Sequence, residues 1–417
     1  MTQTTHHRGG SSRPGAWLPP HAPLDAWVGD LARRVADAPS TQLHPVVARF
    51  GRLIDSDPIV RLYVTRMIDE VPHRGPFRVN HLKSVGHMLA VIDAVIGQAP
   101  AYDESALVGT PLNAVLDWVM GTPAGFAAFR LPAVNASLRE ILGVWRNFLN
   151  SPQSLYVLNE SAGGWKSPAA RAALGMDDFE HDPDHPSWGY SSWNDFFTRR
   201  FKAGRRPVDA PDDGKAIANA CESTPYRIGR NVRRSDRFWL KSQPYSLGDM
   251  LGNAALAERF EGGVVYQAYL SPFNYHRWHS PVSGTIRSAT VLAGTYYSEL
   301  ESEGEDPAGP NNSQAYITHV ATRALILIEA DDPVIGLMAV LPVGMGEVSS
   351  CLIGADIAPG RRVAKGDELG CFQFGGSTHC LIFRPGVIAE FAPAASRAWG
   401  DPAASVIPLG ARLAQAS

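Results

Sequence analysis

The feature that most constrains the fold is a change in hydrophobic periodicity near residue 215. Before it, apolar residues recur at helical spacing: Val60, Val64 and Met67 share one face, and Leu138 and Ile141 share another. After it, short β-rich runs alternate with Gly and Pro, namely Gly263–Leu270, Gly284–Val291, Ala324–Glu329, Leu337–Val343 and Leu381–Phe383. This change predicts an α+β fold, with helices followed by an antiparallel sandwich or barrel-like sheet rather than βαβ units.

The same change sets the expected domain boundaries. We expect a disordered tail over residues 1–22, a helical N-terminal domain over 23–150, a connecting segment over 151–190 and a β-rich domain over 191–417. Thr110 followed by Pro111 predicts the start of a helix. The helical region reads as a bundle that packs its own core, and its pattern indicates no catalytic group.

Composition narrows the class of protein. The formal net charge of −3 gives no general reason to expect a nucleic-acid partner, and the basic cluster at 199–206 is typical of a solvated or carboxylate-pairing surface. The four cysteines show no C-x-x-C spacing, which disfavours disulfides and a zinc site and favours a reducing cytoplasm. The first fifteen residues lack the apolar core of a signal peptide, and no run is long enough to cross a bilayer. We expect a soluble, cytoplasmic protein with no integral membrane segment.

The first cluster that packing does not require is Gly375-Gly376-Ser377-Thr378. Such a run is usually a simple turn. Paired glycines also permit backbone conformations closed to other residues, so that the Ser377 hydroxyl can approach the preceding carbonyl. Attack of Ser377 on the Gly376 carbonyl would convert the peptide bond to an ester. Elimination and hydrolysis would then leave a pyruvoyl group on the new N-terminus.

Two further clusters carry titratable side chains. Residues 275–281 read YHRWHSP, and His276 and His279 could act as metal ligands, as structural hydrogen-bonding groups or in acid–base catalysis. No third ligand supports a metal, and histidine exchanges protons near neutral pH, which favours acid–base work. Residues 220–224 read ACEST. Glu222 is either a solvated turn residue or an orienting partner for a histidine.

Four motifs together resemble the phosphatidylserine decarboxylase family. Residues 193–200 (WNDFFTRR) are similar to its F-N-D-F-F-T-R segment, and residues 244–252 are similar to its Y-S-L-x-x-L-L-G stretch. Residues 270–284 resemble its L-S-P-x-x-Y-H-R-x-H-x-P-x-x-G block, and residues 376–378 lie where its L-G-S-T self-cleavage site lies. The order and spacing of the four motifs also match.

The resemblance implies self-cleavage between Gly376 and Ser377, with a pyruvoyl cofactor made from Ser377 and neither pyridoxal phosphate nor a metal. It implies an Asp/His/Ser processing triad, of which His279 and Ser377 carry over. Where the family reads S-P-x-D-G, residues 219–223 read NACES, so Glu222 stands in the aspartate's place. His276 matches the proton carrier at the substrate carbon. The pyruvoyl group would form a Schiff base with the substrate amine and accept electrons as CO2 leaves.

The helical first 150 residues, with the pattern DPIVRLYV at 57–64, resemble a soluble branch of the family that includes the L-tryptophan decarboxylase of psilocybin biosynthesis. The implied substrate is a free, aromatic amino acid, tryptophan first, decarboxylated by associated large and small chains that could form a homo-oligomer. Phosphatidylserine is the alternative substrate. A remote alternative is a non-catalytic biotinyl- or lipoyl-like module, because residues 280–285 and 363–367 resemble the turns of such carriers. The exposed hairpin lysine that a carrier needs is not found in the sequence.

Overall fold

The computed structural model describes residues 21–37, 42–71, 81–103, 110–236, 244–271, 273–301, 310–347, 350–398 and 400–417. The predicted tail lies outside these ranges except for its last two residues, where the first helix begins. Within the described ranges, no helix combines the length and apolarity needed to cross a bilayer.

Helices dominate the first half of the described chain. They are α1 (His21–Asp37), α2 (Pro45–Ser56), α3 (Pro58–Asp69), α4 (Val85–Ile96), α5 (Pro111–Met120), α6 (Pro123–Ala128), α7 (Pro132–Leu149), α8 (Pro168–Leu174) and α9 (Trp193–Phe197). Three further helices, α10 (Leu247–Leu251), α11 (Ala254–Glu258) and α12 (Pro310–Val320), lie between strands. The helical periodicity read from the sequence is confirmed.

Local sequence explains where these helices begin. Proline occupies the first position of α2, α3, α5, α6, α7 and α8, where its missing N–H costs nothing. Side-chain caps then satisfy the free N–H groups, as when Asp57 accepts from Ile59 and Val60 at the start of α3. Helix α5 differs. Thr110 holds the N-cap position, but its hydroxyl makes no cap hydrogen bond.

The strands form three antiparallel sheets. They are β1 (Ala216–Ala218), β2 (Thr224–Arg230), β3 (Val264–Leu270), β4 (Arg277–His279), β5 (Gly284–Leu292), β6 (Arg323–Ala330), β7 (Leu337–Gly344), β8 (Ser350–Ile353), β9 (Arg362–Val363), β10 (Glu368–Gln373), β11 (Ser377–Phe383), β12 (Ile388–Phe391) and β13 (Arg412–Ala416). The largest sheet has the order β2-β3-β11-β7-β6-β5-β9, and two small sheets have the orders β4-β10-β8 and β1-β13-β12. The predicted antiparallel, β-rich half is confirmed.

Both faces of the seven-stranded sheet are buried at its central strands β3, β11 and β7. Along β11, Leu381 and Phe383 belong to the core on one face, whereas Cys380 and Ile382 belong to the core on the other. Strand β11 is central, with β3 on one side and β7 on the other. Its alternating side chains therefore hold two apolar layers together, because successive side chains of a strand point to opposite faces.

A third hydrophobic core joins the helical region to the β-rich half. It includes most of the buried face of the helices, together with Tyr275, Tyr297 and Phe374 from the second half of the chain. The segment expected as a plain connection also packs here. It contains α8 and two short 3-10 helices, and its Trp165 and Trp188 are buried. The helices are therefore positioned to contribute to a site in the β-rich half.

Candidate active site

The loop between β10 and β11 carries the predicted cleavage site. Gly375 has a φ of +122°, in a region of backbone space that side chains with a Cβ atom rarely adopt. The loop leads directly into Ser377, the first residue of the central strand β11, which pairs with Leu270 on β3 and Gly344 on β7. The sheet therefore holds the backbone of Ser377 from both sides.

The hydroxyl groups of Ser377 and Thr378 differ in their environment. Thr378 Oγ1 donates to the carbonyl of Ala268 at 2.9 Å and accepts from the side-chain amide of Gln267 at 3.0 Å. Ser377 is fully buried, and its Oγ has no hydrogen-bond partner among the described residues. A buried hydroxyl is normally hydrogen-bonded. The Thr378 hydroxyl thus has a structural partner, whereas the Ser377 hydroxyl is left available for chemistry.

The carbonyl that Ser377 would attack already has a donor. The backbone N–H of Met345, the residue directly after β7, donates to the Gly376 oxygen at 3.3 Å. Addition of a hydroxyl to a carbonyl places negative charge on that oxygen, and a fixed N–H group stabilises such charge. The sequence did not indicate Met345, because the contact depends on strand pairing and not on side-chain type.

His279 is held by two hydrogen bonds. Its Nδ1 lies 2.7 Å from the Gly366 carbonyl oxygen, and its Nε2 lies 2.8 Å from the Tyr275 hydroxyl. A carbonyl only accepts, so in the neutral ring Nδ1 carries the hydrogen and Nε2 accepts from Tyr275. Burial lowers the pKa of His279 below its ordinary value of 6.5, although the Gly366 carbonyl opposes that shift. The ring is therefore a neutral base at physiological pH.

The side chains of Glu222 and His279 are not hydrogen-bonded to each other. The Glu222 carboxylate accepts three hydrogen bonds from Arg206, at 2.7, 3.0 and 3.2 Å, and one from the Leu409 backbone N–H at 2.6 Å. The backbone N–H of His279 donates to Ala220, only two residues from Glu222. The structure thus brings the two chain segments together but gives Nδ1 of His279 the Gly366 carbonyl as its partner. No direct hydrogen bond between the Glu222 carboxylate and the His279 ring supports the orienting role predicted for Glu222.

His276 is the more deeply buried histidine. Its ring stacks on Phe197 with centroids 4.1 Å apart, and neither ring nitrogen makes a hydrogen bond of ordinary geometry to a described residue. Burial lowers its pKa well below 6.5 and the positive charge of Arg199 lowers it further, although the backbone of Asn274 opposes the shift. Arg199 is itself buried and donates to the Phe273 carbonyl at 2.9 Å. His276 is consequently neutral at pH 7.

Ser377, His279 and Glu222 are not joined by hydrogen bonds in the described structure. What links the segments is backbone pairing. The N–H of Phe372, five residues before Ser377, donates to the His276 carbonyl, and β10 pairs with β4, which ends at His279. The segments that carry the predicted residues are therefore neighbours in the fold, while the catalytic roles of these residues stay predictions.

The residues that resemble a carrier turn do come together. The N–H of Ser280 donates to Asp367 and the N–H of Gly366 donates to Ser280. Lys365 is buried, however, and its Nζ donates to the carbonyls of Ala210 and Asp213. A lysine held in this way is not an attachment point for a swinging cofactor. The turn instead presents the Gly366 carbonyl to His279.

A set of buried polar side chains was missed by sequence reasoning. Each has at least one polar atom with no hydrogen-bond partner among the described residues: Asn113 and Asp117 on α5, Tyr297, Gln314 on α12, and Glu347 after β7. Glu347 also caps α5 from outside, accepting from the N–H groups of Leu112 and Asn113. The sequence did contain a signal for these buried polar groups. The otherwise apolar run PLNAVLDWVM carries an asparagine and an aspartate four residues apart.

The site fits the pyruvoyl group that the motifs imply. That group is made from a serine, and the Ser377 hydroxyl is buried, has no hydrogen-bond partner among the described residues and follows a carbonyl that already accepts a hydrogen bond. Within the described ranges, no group of three or more His, Cys, Asp and Glu side chains could hold a metal ion.

Comparisons with known proteins cover both halves of the chain. A family model described as phosphatidylserine decarboxylase matches residues 193–398, and a second model described in the same words matches residues 44–174. The Chlamydia felis protein called phosphatidylserine decarboxylase proenzyme is 34% identical over 199 residues, which cover 48% of this chain and 62% of that protein.

Two fungal relatives match more of the chain. The Amanita muscaria protein called decarboxylase iboD is 41% identical over 303 residues, which cover 68% of this chain and 86% of the relative. The Psilocybe cubensis protein called L-tryptophan decarboxylase is 30% identical over 393 residues, which cover 87% of this chain and 86% of the relative. Fold, site and relatives define a carboxy-lyase. The chain belongs to the phosphatidylserine decarboxylase family.

Proposed function

We propose that the chain cleaves itself between Gly376 and Ser377 and then decarboxylates a free aromatic amino acid, with L-tryptophan as the preferred substrate. The observation that carries the first half is the buried Ser377 hydroxyl, which has no hydrogen-bond partner among the described residues and lies two residues after Gly375, whose φ is +122°. Strained backbone of this kind is concentrated at functional sites.

The cleavage consumes water and releases ammonia. Ser377 Oγ attacks the Gly376 carbonyl carbon and displaces the Ser377 nitrogen, giving an ester. Loss of the Ser377 α-proton and cleavage of its Cβ–Oγ bond release the carboxylate of Gly376. Addition of water and loss of ammonia leave a pyruvoyl group at residue 377. The Met345 N–H, 3.3 Å from the Gly376 oxygen, stabilises the charge of the first step.

His279 is proposed as the base that accepts the Ser377 proton through Nε2. Its Nδ1 hydrogen is held by Gly366, so Nε2 is the atom with a lone pair, and its lowered pKa keeps that lone pair free of a proton at pH 7. Transfer requires Nε2 to exchange its Tyr275 partner for the Ser377 hydroxyl.

In the second reaction the pyruvoyl group supplies a carbonyl for the substrate amine and a sink for the electrons left when CO2 departs. His276 is proposed to move the proton. Because its imidazole is neutral, it can accept a proton from the substrate ammonium and return it to the α-carbon after CO2 has left. The nearby charge of Arg199 favours release of that proton by His276.

The substrate is proposed from the relatives that span both halves of the chain. Two proteins called L-tryptophan decarboxylase match 87% and 88% of this chain, including the helical region. A free amino acid has only one side chain for a pocket to recognise, and burial of apolar area contributes about 25 cal/mol per Å². A large indole therefore offers strong preference over small side chains. A reaction on a free amino acid also suits a cytoplasmic enzyme.

Phosphatidylserine is the second candidate, favoured by the name of both matching family models. The relatives named for that lipid match only about half of the chain, however, with 48% for the Chlamydia felis protein. About half of the chain thus has no counterpart in that comparison, whereas the Psilocybe cubensis protein named for tryptophan matches 87% of it.

The large and small chains are proposed to stay together after cleavage. Strand β11 begins at Ser377 and lies between β3 and β7, so both of its edges stay hydrogen-bonded to the large chain. Its side chains are also buried on both faces. Co-elution of the two chains in gel filtration without denaturant tests this point.

The test of the whole proposal combines mass and product. Intact-mass spectrometry of purified protein should find chains of residues 1–376 and 377–417, the second blocked to Edman sequencing. The processed protein, without added pyridoxal phosphate, should form tryptamine from L-tryptophan by chromatography and form no ethanolamine lipid from phosphatidylserine vesicles. Ser377→Ala should remain one inactive chain. Activity from a single uncleaved chain would overturn the mechanism, and lipid product alone would overturn the substrate.

A further inference from the structure

Helix α5 carries a buried polar face that the proposed chemistry does not yet use. Asn113 and Asp117 are one helical turn apart, so their side chains lie on the same face of the helix. Both side chains are completely buried, and neither the amide of Asn113 nor the carboxyl of Asp117 has a hydrogen-bond partner among the described residues.

This face begins beside the cleavage site. The Met345 N–H donates to the Gly376 carbonyl, and the next residue, Gly346, packs against Asn113. A Cβ atom at Gly346 would lie 3.1 Å from Asn113 Oδ1. Glu347 then accepts from the backbone of Leu112 and Asn113, which ties α5 to the same segment. Gly376 and Asn113 are thus linked through residues 345 and 346, by one hydrogen bond and one side-chain contact.

Asp117 continues the face about one turn, or roughly 6 Å, beyond Asn113. No cation faces it in the described structure, and burial raises the pKa of its carboxyl well above 3.8. Leaving several such groups buried without partners costs about 1–3 kcal/mol each. Side chains that only packed the core would be expected to be apolar here, as the rest of α5 is. The polar pair instead indicates a ligand.

We propose that Asn113 and Asp117 bind a ring N–H group on the side chain of the amino-acid substrate, which selects heteroaromatic substrates over purely hydrocarbon ones. The inference rests on the proposed function. The reacting amine lies at residue 377, and the substrate side chain extends past Gly346 along α5. Asp117 accepts the hydrogen bond from the ring whether its carboxyl is charged or neutral, and the Asn113 amide lines the approach to it.

The recognition is specific because the buried polar groups of the site need a hydrogen-bonding partner on the substrate. An analogue that lacks this partner leaves those groups unpaired and therefore binds less well. An indole N–H fits this requirement. A phenyl ring does not. The helical region, which the sequence pattern predicted to be only a packing unit, therefore contributes the specificity of the enzyme.

The test compares two substrates of nearly the same shape. L-tryptophan carries the ring N–H, and 3-(benzothienyl)alanine replaces it with sulfur. With processed wild-type enzyme, kcat/KM for L-tryptophan should exceed that for the sulfur analogue by about tenfold or more. Asp117→Leu should lower the value for L-tryptophan about tenfold and raise the value for the sulfur analogue, because leucine leaves no buried carboxyl unpaired. Asp117→Asn, which keeps an acceptor, should restore most of the preference.

The substrate pair separates binding from folding, since a poorly folded variant loses both activities equally. Intact mass shows whether each variant is processed, and Asp117→Ala replaces the leucine variant if that one is not. Equal losses on both substrates in every processed Asp117 variant, or no wild-type preference, would overturn this inference while leaving the decarboxylase proposal standing. Failure of wild-type enzyme on every free amino acid would instead overturn the proposed function itself.

Discussion

The Nδ1 atom of His279 lies 2.7 Å from the carbonyl oxygen of Gly366, a backbone group that does not titrate. Gly366 has a φ of +92° and lies in the turn before β10. In many triads a carboxylate holds the base histidine and stabilises its positive charge. Here the partner seen in the structure is neutral, so it sets the orientation and tautomer of the ring without adding a full charge beside it.

Gly366→Ala should slow self-cleavage. An added Cβ would lie 2.5 Å from Val208 Cγ2 and would strain the left-handed backbone, displacing the carbonyl that holds His279. Gly360→Ala is the matched control. Gly360 has a φ of +89°, but a Cβ there meets no atom within 4 Å, so only the strain of about 1 kcal/mol remains. Precursor half-lives followed by gel electrophoresis should lengthen for the first variant alone. Equal half-lives would contradict the role of this carbonyl.

His279→Ala and His276→Ala should separate processing from turnover. The first removes the proposed acceptor of the Ser377 proton and should leave the protein at full length. The second should be processed but lose about 100-fold or more in kcat, because proton transfer typically contributes 10²–10⁴-fold. Intact mass and amine formation measure the two effects. Complete cleavage of the His279 variant would show that another group is the base.

Glu222→Gln distinguishes an orienting role from a structural one. The observed contacts, with Arg206 and the Leu409 N–H, predict a loss of about 2 kcal/mol in the free energy of unfolding, with self-cleavage slowed only slightly. Denaturant unfolding of the Ser377→Ala background and precursor half-life give the two readouts. Strong slowing with unchanged stability would instead support the carboxylate as the partner of His279.

Met345→Pro should slow self-cleavage about 100-fold or more, the usual effect of removing one oxyanion donor, because proline has no N–H to donate to Gly376. Met345→Leu keeps the N–H and a similar side-chain volume and should cleave at close to the normal rate. The comparison uses precursor half-lives at equal temperature. A proline variant as fast as the leucine variant would remove Met345 from the mechanism.

The pH dependence of self-cleavage follows from the lowered pKa of His279. Only the neutral ring accepts a proton, so the rate constant should be flat through neutral pH. It should fall as the pH drops through the folded-state pKa, which lies below 6.5, because protonation then fills Nε2. Rate constants between pH 4 and pH 8 measure the midpoint. A midpoint above 6.5 would contradict the assignment.

Local patterns were sufficient for much of this protein. Helical spacing placed α3 and α7, and β-rich runs placed β3 and β11, because the periods of 3.6 and 2 are properties of short segments. Four short motifs were also sufficient to recognise the family. These patterns depend only on residues that are close together in the chain, so they can be read without the tertiary structure.

Tertiary structure decided the partners. Gly366 and His279 are 87 residues apart, and Glu347 reaches Asn113 across 234 residues. The Met345 N–H meets Gly376 only because β7 pairs with β11. Glu222 was assigned from its place in a motif, but its carboxylate accepts hydrogen bonds from Arg206. Hydrogen bonds require donors and acceptors to lie about 3 Å apart. Sequence determines which groups are present, whereas only the folded chain determines which of them come within that distance.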